Sequence, residues 1–181
     1  MEMTDYRSKW DTKALNRFNS DDFKNLAIDS STIQFLTTVG LPDAAAPFIS
    51  FDRRELKSVR QTYSTNNSAH NFLVDIGSDG AGDPICIDMQ HNCRIVALEH
   101  DNGFAVRFVN SSIQELFAFL TLYKEFVDNL LKEKGDDAFM DSKFSDEEVD
   151  ILLKKLMIVD REAFSDDQTF WTREIQDLNA R

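Results

Sequence analysis

The residues whose types could do chemistry crowd between positions 75 and 100. In the run Gly77-Ser78-Asp79-Gly80-Ala81-Gly82-Asp83, Gly77 and Gly82 have the separation of the two glycines of a phosphate-binding loop. Such a loop needs a lysine after its second glycine to neutralise the terminal phosphates, and Asp83 stands there instead, which argues against nucleotide binding. The dinucleotide fingerprint fails as well, because Gly80-Ala81-Gly82 is followed three residues later by Ile85 and opens an extended segment rather than a helix. A calcium loop starting at Asp75 would place Asp79 and Gly80 suitably, but Gly77 replaces the third ligand and Cys86 the closing glutamate. Two oxygen donors do not replace the hydration shell of the ion. What remains is a glycine-rich turn between two strands.

A second group, Cys86, Asp88, His91, Cys93 and His100, lies around one expected hairpin, with spacings that match no zinc pattern. If residues 84–90 form a strand, Cys86 and Asp88 share a face opposite Ile85, Ile87 and Met89, which allows an edge or partner-facing position. His91 falls in the turn and is expected in solvent. His70 and His100 stand alone and read as hydrogen-bonded structural residues. No serine sits in a nucleophile elbow, and neither cysteine has a local pattern that marks it as a nucleophile. The expectation is therefore a chain without catalytic centre, cofactor or metal, with an enzyme built on the hairpin His, Cys and Asp groups as the competing hypothesis.

Charge points elsewhere. Thirty-two acidic residues against twenty Lys and Arg leave a formal charge of −12 over 181 residues. That excess repels phosphate backbones and anionic lipid, so neither nucleic acid nor a membrane is an expected partner. No stretch approaches the roughly 20 apolar residues of a spanning helix. The amino terminus, MEMTDYRSKWD, carries no secretory pattern, and two cysteines are too few for a disulfide framework, so a cytoplasmic location is expected. The densest charge lies at residues 136–150, where Asp136, Asp137, Asp141, Asp146, Glu147, Glu148 and Asp150 face only Lys143, a net of −6. Two readings stay open there: a solvated loop and helix start favoured by the helix dipole, or an anionic surface that attracts a basic partner. On the second reading the candidate partner-binding residues are Asp79, Asp83, Asp88, Asp136, Asp137, Asp141 and Asp146.

These residues must be positioned by elements that the periodicity outlines. Apolar spacing predicts an amino-terminal helix over residues 4–18 and a short one over 30–39 that exits at Gly40. From residue 47 to 110 the period becomes two, and strands are expected at 48–52, 72–76, 84–90, 94–100 and 104–109, with residues 53–71 unassigned. The connections at 90–93 and 101–103 are too short for parallel crossovers. Residues 112–134 form the clearest helix, with Ile113, Leu116, Phe117, Leu120, Tyr123, Val127, Leu130 and Leu131 in one stripe ended by Gly135. A capping box of Ser145 and Glu148 starts another, ahead of Val149, Ile151, Leu152, Leu156 and Ile158. A last helix at 169–178 would dock through Phe170, Trp171 and Ile175. Strands followed by helices point to an α+β fold, an antiparallel β-sheet of about five or six strands flanked by helices. A hydrophobic fraction of 42% and a length of 181 residues suit a single domain, 1–181.

Three segments carry a family resemblance. They are Phe35-Leu36 through Val39-Gly40-Leu41-Pro42 with Ala46-Pro47-Phe48 and Phe51; Ile76-Gly77 with Asp83-Pro84-Ile85-Cys86-Ile87-Asp88; and Phe108-Val109-Asn110-Ser111-Ser112-Ile113 leading into Phe117, Leu120 and Tyr123. Phe170-Trp171 adds a weaker point. The run resembles the SUKH superfamily, in particular its fourth immunity-protein subfamily. The resemblance implies an α+β fold and an immunity protein that neutralises a cognate toxin, of nuclease or deaminase type, by direct binding. Such toxins often carry basic nucleic-acid surfaces, which suits the acidity found independently. The superfamily also implies an alternative, a housekeeping interaction or scaffold module. The acidic segment 136–150 lies outside the matching motifs, so its role as a toxin surface does not follow from the resemblance.

Overall fold

A computed structural model describes residues 7–51 and 56–181. Nine strands and five α-helices follow in chain order among the described residues: β1 (Leu15–Asn16), α1 (Ser30–Thr38), β2 (Leu41–Pro42), β3 (Ala44–Ala45), β4 (Ile49–Ser50), β5 (Lys57–Ser58), α2 (Val59–Tyr63), β6 (Leu73–Ser78), β7 (Pro84–Asp88), β8 (Arg94–Glu99), β9 (Ala105–Asn110), α3 (Ile113–Lys134), α4 (Asp146–Val159) and α5 (Phe170–Asn179). The architecture is α+β. Seven strands form one antiparallel sheet in the order β3-β4-β6-β7-β8-β9, with β5 also paired to β6, and β1 and β2 make a separate two-stranded ribbon. The excess over five or six strands comes from two-residue elements, too short to show a period.

The central hairpins follow from their connections. In β7 and β8, Ile85 pairs with Ala97 and Cys86 with Val96, antiparallel. The chain turns through Asn92 and Cys93, both at positive φ, a backbone twist that matches the flanking strands. One face of the sheet buries Ile76, Ile85, Ile87, Ile95 and Ala97 in the main core. Helix α3 lies on this face, capped at its start by the Ser112 hydroxyl, which accepts from the Glu115 amide. From Leu116 to Tyr123 it is buried all round, Phe119, Thr121 and Leu122 included, because Phe35 and Trp10 pack on one side at Phe117 and Trp171 on the other at Phe119 and Tyr123. The one-sided stripe expected from the sequence describes only the helix's second half.

Three expectations need correction. Within the expected helix 4–18, the described residues from Thr12 onward form a 3-10 turn (Thr12–Ala14) and strand β1, since Leu15 and Asn16 pair with Pro42 and Leu41; residues 4–6 lie outside the described part. The apolar residues of that segment are nonetheless core: Trp10, Leu15 and Phe18 are buried, and the Trp10 indole donates to the Thr121 hydroxyl at 2.8 Å. In α4 the capping box forms as expected and Val149, Leu152 and Leu156 are buried, but Ile151 and Ile158 point outward, Ile158 being 84% exposed. Cys86 is neither at an edge nor facing outward. Its strand is interior, and on the sheet's second face α2 and the following 3-10 turn cover it in a small cluster with Val59, Leu73, Val96 and Leu98. That covering comes from the segment left unassigned, of which residues 53–55 lie outside the described part. The expected strand 48–52 is realised as β4, and its Asp52 also lies outside.

Candidate functional site

The His, Cys and Asp groups around the hairpin are dispersed. The His91 ring donates to the Asp88 carboxylate at 2.7 Å at one end of β7, while the His100 ring donates to Asp83 at 2.7 Å at the other end. His70 is buried and shares hydrogen bonds with Thr65 and Asn67, and burial holds its pKa below the usual histidine value. The Cys93 sulfur accepts the Asp29 amide at 3.4 Å, and burial pushes its thiol up, the reverse of nucleophile activation. No group of three or more His, Cys, Asp or Glu among the described residues could hold a metal ion.

The feature without a structural explanation is Phe48. It sits in the loop between the paired strands β3 and β4, at φ +79°, a region costly for a bulky side chain, and its ring is 55% exposed. Strain at an exposed aromatic residue is a reason to look for function nearby. The glycine-rich turn packs against it: a Cβ on Gly80 would come 2.9 Å from the Phe48 Cβ, so only glycine allows this approach. In that turn the Asp79 carboxylate accepts the amides of Ala81 at 3.0 Å and Asp83 at 2.9 Å, which fixes its shape. Asp83 accepts from the His100 amide and ring, which raises the His100 pKa, and pairs with Arg107 at 3.5 Å. Arg107 also donates to Glu99 at 2.8 Å, and Arg173 of α5 donates to the same carboxylate at 2.7 Å, so the turn is braced to β8, β9 and α5.

Hollows flank Phe48 on two sides. On one, Phe48, Asp79, Asp83, Arg107, Phe170 and Glu174 line a cleft of about 260 Å³. Glu174 is largely withdrawn from water, and its carboxyl is pushed up to about 7, chiefly by burial and then by the charge of Asp177. On the other, a wider and mainly apolar groove of about 460 Å³ runs along Ala44, Ala45, Pro47 and Ile49 to Phe139. Phe139 belongs to the acidic segment, between the exposed Asp137 and Asp141 and next to Met140, which is 68% exposed. The Arg181 guanidinium lies 5.6 Å over the Phe139 ring.

The fold therefore brings Asp79 and Asp83 to one side of Phe48 and leads the segment holding Asp136, Asp137 and Asp141 to the other. Asp136, Asp137, Asp141 and Asp146 are all exposed; Asp146 stands in the first turn of α4, and Lys143 pairs with Asp141 at 2.8 Å. Glu148 is partly withdrawn into a pair with Lys134 at 2.7 Å, which lowers its pKa. Asp88 is not part of this surface: it is buried at the far end of β7, accepting from the Gln90 amide and the Arg94 side chain. Asp83 is buried too, and it reaches the cleft as the base of the turn. Phe48 and Glu174 did not stand out in the sequence. Glu174 left a signal there, since it falls three residues after Trp171 and four before Leu178, on the apolar stripe of its helix.

Seen as a whole, an exposed aromatic residue with apolar groove and carboxylates around it can bury against, and electrostatically select, another macromolecule. The described residues contain no helix long and apolar enough to cross a membrane. A family model described as SUKH-4 immunity protein matches residues 7–177. No curated protein and no solved structure matches the chain.

Proposed function

The chain belongs to the SUKH-4 immunity protein family, and from that membership we propose that it neutralises a cognate bacterial toxin by binding it directly, as a single domain in the cytoplasm. The family match over residues 7–177 is the observation that carries the reading. The toxin is of nuclease or deaminase type, with a basic surface that the chain's net charge of −12 complements. The contact surface is the end of the molecule around Phe48, with Asp79 on one flank and Asp136, Asp137 and Asp141 on the other; Asp146 extends the same anionic field. Exposed aromatic anchors inside a charged rim are what a tight protein interface needs, because the ring supplies buried area and the charges supply rate and selectivity. Asp83 acts by holding the turn. Asp88, buried with its own partners, is left outside the proposed interface.

The test is neutralisation by stoichiometry. The chain is co-expressed with the products of adjacent genes, the complex is isolated, and toxin activity is followed as the chain is added. Suppression complete near equal molar amounts, and unchanged by chelator, is the expected result. Failure to bind any neighbouring product would favour a housekeeping interaction module.

A further inference from the structure

Glu174 is a carboxylate that nothing in the fold employs. It makes neither hydrogen bond nor ion pair with any described residue, although Arg173 beside it is paired to Glu99. A carboxylate that is partly withdrawn and has only water to meet its charge carries part of the desolvation cost. The charged groups that bear on it are Asp177 of its own helix, Arg181 after that helix, Asp79 of the glycine turn and Arg107 of β9. Neither cation is at its disposal, since Arg107 is held by Glu99 and Asp83 while Arg181 lies over Phe139.

The cleft in front of it has carboxylates in Asp79 and Glu174 and aromatic walls in Phe48 and Phe170. At about 260 Å³ it falls below the roughly 300–1,000 Å³ of small-molecule sites, and suits one side chain. A metal ion is a poor fit, because calcium asks for about six to eight oxygens. A cation on an apolar stem suits the rings and the two carboxylates together, the stem against Phe48 and Phe170 and the charge against Asp79 and Glu174, while the charge of Arg107 on the same lining is already met by Glu99 and Asp83. We infer that this cleft is a socket for one lysine or arginine side chain of the protein partner, with Glu174 as its counter-ion. The inference rests on the reading that this end of the molecule binds a toxin, and it adds the chemistry of the contact. A cation seated there favours the ionised carboxylate, so docking at neutral pH releases a proton.

N-acetylarginine amide is the probe, with neutral N-acetylcitrulline amide as control. Carbon-13 resonances of the Glu174 carboxyl and of the Phe48 and Phe170 rings are followed by pH titration. The expected result is that arginine amide lowers the Glu174 midpoint by about one unit or more and shifts both rings, while citrulline amide does neither. In Glu174→Gln the ring response should weaken about tenfold, the loss of a charge-assisted contact worth about 1.4 kcal/mol. Asp79→Asn, which keeps the turn's side-chain acceptor, should weaken it less. Equal effects of arginine and citrulline amides, or an undiminished ring response in Glu174→Gln, overturn the socket. The toxin separates the two readings. If wild type and Glu174→Gln neutralise it with equal affinity and equal proton release, the socket falls and the immunity reading stands. An arginine response with no toxin captured supports the socket and removes the immunity reading.

Discussion

Replacing Glu174 by Gln should make the protein more stable at alkaline pH and flatten its stability profile. The folded carboxyl is raised from 4.5 to about 7, mainly by burial, whereas the unfolded chain keeps the ordinary value. Between those values the folded state holds a proton that the unfolded state has lost, so stability falls as pH rises across that window, and the full penalty applies above about 7. At about 1.4 kcal/mol per pH unit the shift from 4.5 to about 7 corresponds to an upper bound of about 3.5 kcal/mol. Partial exposure of the cleft screens it, so about 1–2 kcal/mol is the working expectation. Gln has the same shape and no charge to desolvate. Urea melts of both proteins at pH 5 and 8.5 give a double difference in which the titrations of His70 and His100 cancel, because both proteins share them. Parallel profiles, agreeing within the roughly 0.5 kcal/mol of an ordinary surface change, would refute the placement of this carboxyl in a desolvated cleft.

Other perturbations test the frame and the surface. Leu120 is fully buried on α3, and Leu120→Ala should cost about 2–5 kcal/mol in denaturant melts. Gly40 sits at φ +86° with the Asn16 carbonyl oxygen where a Cβ would go, so Gly40→Ala should lower stability by more than about 1 kcal/mol, whereas the same change at an unstrained glycine would raise it. Trp171→Phe removes the indole donor to Asn110, 3.0 Å away, from a network that also ties Asn110 and Ser111 to Asp160; the buried acceptor left behind should cost about 1–3 kcal/mol. Reversal of Asp136, Asp137, Asp141 and Asp146 to Lys should slow capture of a basic toxin and weaken its salt dependence while the fold stays intact, because all four are exposed; the loss at Asp146, in the first turn of α4, should be no more than about 1 kcal/mol.

How far the sequence reaches depends on how local the determining physics is. The helices at Ser30–Thr38, Ile113–Lys134, Asp146–Val159 and Phe170–Asn179 announce themselves by caps and spacing, which act within a few residues. The long strands do so by alternation and by connections too short for anything except antiparallel pairing. The two-residue strands and β1 are different. Leu15 and Asn16 are extended because Pro42 and Leu41 offer them partners, a pairing distant in the chain that overrides a helical spacing of Trp10, Leu15 and Phe18. Ile151 and Ile158 show the converse: their spacing is that of a buried stripe, yet α4 turns Val149, Leu152 and Leu156 inward and leaves them outside.

The surface was legible in its charge and hidden in its geometry. Acidic residues at 136–141 and in the glycine turn are plain in the sequence, but that both border Phe48 depends on Phe139 reaching the loop between β3 and β4 and on Gly80 letting the turn close on the ring. Phe48 itself sits among residues that read as core strand, and nothing local shows that its backbone turns to φ +79° and carries the ring outward. This has a consequence for how the charge works. Asp83 and Asp88, equally acidic in the sequence, are spent inside on His100, Arg107 and Arg94, so a count of carboxylates overstates the field a partner meets. At the proposed contact end, the acids left outside those internal pairs are the half-buried Asp79 and the exposed Asp136, Asp137 and Asp141. Screening within about 8 Å at physiological salt confines each of those charges to its neighbourhood. If a basic toxin docks at this end, as proposed, its steering comes from the acids close to Phe48, and carboxylates elsewhere on the chain contribute to net charge without contributing to aim.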